Sequence, residues 1–251
     1  MTFTVPAEAY DRFMGRYSLQ LTAQMADLAG VEAGQRVLDV GCGPGALTTE
    51  LVSRAGAESV SAVDPSEQFV EAARARHPGV DVRRAAAEEL PFRDATFDAA
   101  LAQLVVHFMA DPVRGLGEMA RVTREGGVVA ACVWDHAGEQ TPLAVFWRAA
   151  RELFPDVEDE MNLAGGREGH LGELFAQAGL SGVEETALPV HVEHASFEDW
   201  WDPFTLGVGP AGSFYAQQDT EAKRQLRERC RELFPPPFTL SARAWAARGV
   251  A

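Results

Sequence analysis

The stretch Asp39-Val40-Gly41-Cys42-Gly43-Pro44-Gly45 constrains this chain more than any other. It follows an apolar run, residues 35–40, that reads as a short buried strand, and it precedes a helical pattern over 46–55. Glycines at a strand-to-helix junction suit a chain that turns sharply and lets its backbone approach a ligand, because a Cβ obstructs both. A second strand over 59–63 ends at Asp64, 21 positions beyond Gly43. A carboxylate at that strand tip can accept both hydroxyl hydrogens of a ribose. Turn, strand tip and spacing together point to a nucleoside site.

Short β-rich runs continue to alternate with helical patterns, as in a parallel sheet with crossover helices. A helix over 66–76 stops at His77-Pro78-Gly79, since the residue before a proline avoids helical geometry. Strands are expected over 80–84, 97–101 and 128–134, with a helix over 112–123. Beyond them the pattern loosens to a helix over 168–178, a strand over 183–192 and a final strand over 239–249. The long connection before that last strand carries Trp200, Trp201, Phe204, Phe214, Tyr215 and a polar helix over 220–234. Connections with structure of their own tend to cover functional sites.

Charge narrows the ligand. Asp39 brings a negative charge to the loop entrance and Pro44 removes an N–H there, which disfavours phosphates and suits a cationic group. The whole chain has 22 basic against 37 acidic side chains, a net charge of −15. That field repels nucleic acid and anionic membrane surfaces, so neither is expected as a partner. Gly41-x-Gly43-x-x-Ala46 with Asp64 also satisfies the dinucleotide fingerprint, which keeps an NAD(P)-dependent oxidoreductase as the enzyme-class alternative. Three cysteines without CxxC spacing imply neither disulfides nor a metal site. With no signal-peptide pattern and no run of ~20 apolar residues, a cytoplasmic protein without membrane insertion is expected.

VLDVGCGPG, then VDPS, then AAAEELPF, then the strand ending at Gln103, closely resemble the class I S-adenosylmethionine-dependent methyltransferases, in particular the ubiquinone and menaquinone biosynthesis branch. The resemblance covers about residues 10–134. It implies a single α/β domain over 1–251: a Rossmann-like, doubly wound, seven-stranded sheet with an antiparallel last strand and helical cover insertions. Residues 1–34 would form an N-terminal cap, 35–135 the cofactor-binding core, and 136–167 and 194–237 the covers. By the same resemblance the loop with Asp39, Gly41, Cys42 and Gly43 would hold the methionine part of S-adenosylmethionine, and Asp64 the ribose. Pro65 and Phe69 would pack on adenine, Ala87 and Glu88 would lie at its amino edge, and Gln103 would line the methionine end. In the cap, Arg16 would pair with the cofactor carboxylate while Tyr10 and Met14 cover the sulfonium. Ala86 stands where the family usually has an aspartate for the adenine amino group, leaving that contact to Glu88, to a backbone carbonyl, or absent.

Methyl transfer from a sulfonium needs positioning and exclusion of water, plus a base where the acceptor must lose a proton. His107, beyond the fourth strand, is the first candidate base and His136 the second; a purely structural histidine is the alternative for each. His170, His191 and His194 fall in covering segments and read as solvated. Trp134, Phe146, Trp147, Trp200, Trp201, Phe204, Phe214 and Tyr215 are available to line an acceptor pocket, or else to pack a core. A small, apolar or aromatic acceptor is therefore expected. Between Pro155 and Asp202, twelve carboxylates face Arg167 alone, which reads as a solvated acidic face. A methyltransferase-like binding module without turnover is the non-enzymatic alternative.

Overall fold

Seven strands form one sheet in the order β3-β2-β1-β4-β5-β7-β6. They are β1 (Val37–Val40), β2 (Val60–Asp64), β3 (Asp81–Arg84), β4 (Phe97–Gln103), β5 (Thr123–Trp134), β6 (Ser181–Glu193) and β7 (Thr239–Val250). The computed structural model describes residues 7–251; the first six residues of the expected cap lie outside the described residues. β1 pairs in parallel with β2 and β4, while β7 runs antiparallel to both β5 and β6. The expected seven-stranded, doubly wound sheet with an antiparallel last strand is thus present.

β1 is buried along its whole length, as a central parallel strand covered on both faces must be. Alternate side chains feed two cores: Leu38 and Val40 join Leu116, Met119 and Phe175, whereas Val37 joins Leu21, Met25, Leu51 and Leu101. Helix Ala46–Ala55 starts directly after Gly45, whose φ of 97° is left-handed. Helix Glu67–Arg76 ends before Pro78. Helix Pro112–Val122 has proline at its start, and the Asp111 side chain accepts from Arg114 N.

The strand order reverses between β1 and β4, since the chain builds outward from β1 through β2 and β3 before returning to β4. At such a switch point the loops leaving two neighbouring strands diverge and open a crevice at their carboxyl ends. The segments that leave β1 and β4, residues 41–45 and 104–109, flank that crevice. The cover consists of helices Ala144–Leu153, Phe197–Trp201, Gly209–Gln217 and Thr220–Leu233. Helix Arg16–Leu28 and the widened π turn Asp11–Gly15 close the same side. Among the described residues no helix is long and apolar enough to cross a membrane.

Candidate functional site

The loop after β1 is stapled to β2. Gly41 N and Cys42 N both donate to the Val63 carbonyl, at 2.8 and 2.9 Å. Gly41 has a φ of 72°, and a Cβ there would come within 2.5 Å of Val105 Cγ2. Gly43 differs: its φ is 53°, but a Cβ would meet nothing within 4 Å and would project into open space at the crevice. Packing therefore demands the first glycine, while backbone conformation and the crevice demand the second.

Asp64 is 6 % exposed and its carboxylate is fully oriented. Oδ2 accepts from Gly43 N at 2.9 Å and Oδ1 from Ser66 N at 2.8 Å. Each oxygen keeps a lone pair for a further donor. Burial raises its pKa, and the two backbone N–H donors oppose that shift. Asp39 is also buried, with Oδ2 accepting from Thr48 Oγ1 at 2.6 Å. Desolvation first, then the charge of Asp64, pushes Asp39 up to about 7 against the Thr48 hydrogen bond. The two carboxylates make the crevice a place where a bound cation relieves an unfavourable field.

Three cavities meet here. The largest, about 250 Å³, is lined by Tyr10, Gly41, Gly43, Asp64, Pro65, Phe69, Ala87, Glu88 and Gln103 among others. A narrower extension, about 30 Å³, runs along Asp39, Gly41, Cys42, Gly43 and Gln103. Eleven of the thirteen residues expected to hold a cofactor thus line these two neighbouring cavities. The rings of Tyr10 and Phe69 meet edge to face at 5.3 Å, so the cap closes over the largest cavity. Gln103 donates through Nε2 to Ser18 O at 3.1 Å, while its buried Oε1 has no partner. Glu88 Oε1 accepts from Ala110 N at 2.7 Å, which ties the loop after β4 to the cavity floor. Burial and the nearby Asp39 and Asp64 hold the Cys42 thiol neutral by raising its pKa.

The third cavity, a chamber of about 40 Å³, contains the two candidate bases. His107, on the short 3-10 turn Val106–Phe108, and His136, after β5, have ring centroids 5.5 Å apart. His107 Nδ1 and His136 Nε2 are buried without a hydrogen-bond partner. Burial, then His136, holds the His107 pKa well below its usual range; burial brings His136 down to about 4. Both imidazoles are neutral at physiological pH. Tyr10 and Leu104 line all three cavities. Leu104 has a φ of 61°, left-handed for a side chain with a Cβ, in the wall that the three cavities share. Strain of that kind persists only where the surroundings enforce it.

Three expectations need correction, and the choice left open for the aromatics is decided. Arg16 does not reach the cofactor region: its guanidinium binds Asp199 at 2.8 and 3.0 Å and His194 Nδ1 at 3.0 Å. A carboxylate of the chain itself, on a cover helix, takes the partner that the resemblance assigned to a ligand. Met14 lines the chamber rather than the cofactor cavities. Of the eight aromatics considered for the acceptor pocket, Trp134 alone lines the chamber. Phe146 instead stacks on Phe204 at 4.8 Å, and Trp200 packs against Phe204 at 4.9 Å, welding the cover together. His194 is buried, with Nε2 3.0 Å from the Tyr17 hydroxyl, not solvated.

Glu160 was hidden in the acidic stretch. It is 4 % exposed, its Oε2 accepts from Trp147 Nε1 at 2.7 Å, and it lines the chamber with His107 and His136. Desolvation, followed by the charge of Asp159, pushes it up to about 7 against the Trp147 hydrogen bond. Nothing in its sequence neighbourhood separates it from the solvated carboxylates around it. Among the described residues no three His, Cys, Asp or Glu side chains gather to hold a metal.

Comparison with known proteins agrees with this geometry. A family described as "Methyltransferase domain" matches residues 38–131, the span from β1 to β5. The malonyl-[acyl-carrier protein] O-methyltransferase of Erwinia billingiae is 28 % identical over 71 % of this chain and 84 % of its own length. The chloroplastic 2-methyl-6-phytyl-1,4-hydroquinone methyltransferase 2 of rice is 36 % identical over 59 % of this chain, but this chain spans only 40 % of that protein. Among solved structures, a putative methyltransferase complexed with the Haloferax volcanii activator Trm112 superposes with a TM-score of 0.63 at 20 % identity, covering 97 % of this chain and 93 % of that one. At that identity the likeness speaks to the fold.

Proposed function

Since the chain is a class I S-adenosylmethionine-dependent methyltransferase, we propose that it methylates a small molecule with an apolar or aromatic body, held in the chamber beside His107. The observation that carries this reading is the convergence of the three cavities on Tyr10 and Leu104. A cofactor held along the first two cavities would lie against Tyr10 and Leu104, which also wall the third. The methyltransferase match sets aside the dinucleotide alternative that the glycine spacing had left open.

The residues present fit the cofactor. When bound, S-adenosylmethionine supplies an electrophilic methyl group on a sulfonium. Asp64 offers its remaining lone pairs to the ribose hydroxyls without having to reorient, because Gly43 and Ser66 already hold it. The orphaned Gln103 Oε1 and the Asp39 carboxylate are acceptors for the ammonium of the methionine part. Pro65, Phe69 and Ala87 offer apolar contact to the adenine. Glu88 is engaged by backbone N–H groups, so its work is to position the loop beneath the purine. The open space beside Gly43 is what the ligand occupies.

On the acceptor side, Phe13, Met14, Leu104 and Phe108 make an apolar sleeve that excludes water. His107 takes the acceptor's proton: it is neutral, buried and equipped with an unpartnered Nδ1. Incubation with isotopically labelled S-adenosylmethionine and a panel of small phenols and amines tests the assignment. Label should pass to at least one acceptor, with S-adenosylhomocysteine formed in equal amount. Cofactor binding without transfer to any acceptor would return the chain to a binding module.

A further inference from the structure

Glu160 is a buried carboxylate whose side-chain hydrogen-bond donor is neutral. Trp147 Nε1 donates to it at 2.7 Å, and no lysine or arginine is among the described residues lining its chamber. Arg151, which lines a small neighbouring cavity together with Glu160 and His136, is held by Asp159 at 2.6 Å and by Glu139. Taking a carboxylate out of water is costly unless a cation or several donors meet it. A chamber that merely had to be apolar would be better served by a leucine.

Two imidazoles line the same chamber. His107 Nδ1 and His136 Nε2 are buried and unpartnered, and both rings are neutral. With its proton on the other ring nitrogen, each imidazole adds one acceptor to the Glu160 carboxylate, and three acceptors match the three N–H donors of a primary ammonium. Phe13, Phe108 and Trp134 line the chamber as well, and aromatic faces attract cations. The net charge of −15 works in the same direction and against an anionic acceptor. At about 40 Å³ the chamber is sized for a head group rather than for a whole polar ligand.

We propose that Glu160 is the anionic seat for the protonated amine of the methyl acceptor, so that the acceptor class is an amine with an apolar body. The assignment rests on placing the acceptor in this chamber. The ammonium loses one proton to a neighbouring neutral imidazole, which frees the nitrogen lone pair. A hydroxyl would bring no charge to keep Glu160 ionised, and a carboxylate acceptor would favour its protonated form.

Three ligands sharing a 4-ethylphenyl body test this by calorimetry and tryptophan fluorescence, on the whole chain saturated with S-adenosylhomocysteine: 4-ethylbenzylamine, 4-ethylphenol and 4-ethylbenzoate. The amine should bind at least ~10-fold more tightly than the other two, since hydrogen bonds to charged groups exceed neutral ones by about that factor. Glu160→Gln should weaken the amine by a similar factor and leave the phenol and S-adenosylhomocysteine unchanged. Equal or tighter binding of phenol or benzoate, no binding of the amine, or an amine affinity indifferent to Glu160→Gln would each overturn the proposal. The ranking on the unaltered chain stands even if the variant fails to fold. Failure of S-adenosylhomocysteine to bind the unaltered chain would instead overturn the functional reading beneath it.

Discussion

The backbone N–H of Gly43 donates to Asp64 Oδ2 across 2.9 Å, joining the loop after β1 to the tip of β2. Loop and strand tip are therefore one preorganised unit, and the 21-residue spacing visible in the sequence is the span of that hydrogen bond. Asp64→Ala removes both the acceptor of Gly43 N and the proposed partner of the ribose. Charge-assisted hydrogen bonds contribute about 1.5–3 kcal/mol each, so S-adenosylhomocysteine affinity should fall by ~10²-fold or more. Asp64→Asn, which retains one acceptor oxygen, should fall between. An affinity unchanged in Asp64→Ala, measured by calorimetry, would remove Asp64 from the site.

With Asp39 beside the proposed cofactor site, cofactor binding should be sensitive to pH. Its carboxyl, pushed up to about 7 mainly by burial, is partly protonated in the empty protein at neutral pH. A cationic ligand favours the ionised form, so binding should release a proton below that pH and tighten as the pH rises from 6 to 8. Calorimetry in two buffers of different ionisation enthalpy measures the release, and Asp39→Asn should abolish it. The same shift has a consequence for folding. Between about 4 and about 7 the native state holds a proton that the unfolded chain has lost, so this group makes stability fall as pH rises through that window. Glu160, also pushed up to about 7, adds to the fall.

His107→Ala should lower turnover by ~10²-fold while S-adenosylhomocysteine binds as before, since the ring lines the chamber and not the cofactor cavities. His136 is the nearest alternative acceptor, and the double substitution should cost more than either alone. Turnover indifferent to His107→Ala would pass the proton to His136.

Arg16 and Asp199 clasp the cap to the cover. Both side chains are about a third exposed, at 35 % and 33 %, so the pair contributes only about 0.5–1 kcal/mol. Arg16→Met should lower the melting temperature by a few degrees and speed proteolysis of the cap. Cofactor affinity should stay within about threefold, whereas a residue gripping the cofactor carboxylate would cost tenfold or more. Arg16, first among its causes, holds Asp199 down to about 2. Its contribution to stability is present above the usual carboxylate range and is lost as pH falls toward 2.

What the sequence revealed follows from where each signal lies. β1, β2 and the glycine turn are local, their residues contiguous and their geometry dictated by φ and burial, so the strand-to-helix junction and Asp64 were legible. The Arg16–Asp199 pair spans 183 positions, and no local pattern announces it. Phe146, Trp200, Trp201 and Phe204 were visible as apolar, but only three-dimensional packing decides between core and pocket. Glu160 was the least legible, because a buried carboxylate and a solvated one look alike in an acidic run; the hydrogen bond from Trp147 distinguishes them.

The crevice around Gly43 and Asp64 is predicted to take S-adenosylmethionine. Calorimetric titration of the protein, stripped of any co-purified ligand, with S-adenosylmethionine and in parallel with NADH tests it most directly. Saturable one-to-one heat with the first, none with the second, and its loss in Asp64→Ala are predicted. Absence of heat and of any thermal upshift with S-adenosylmethionine, or saturable binding of NADH in its place, would contradict the account.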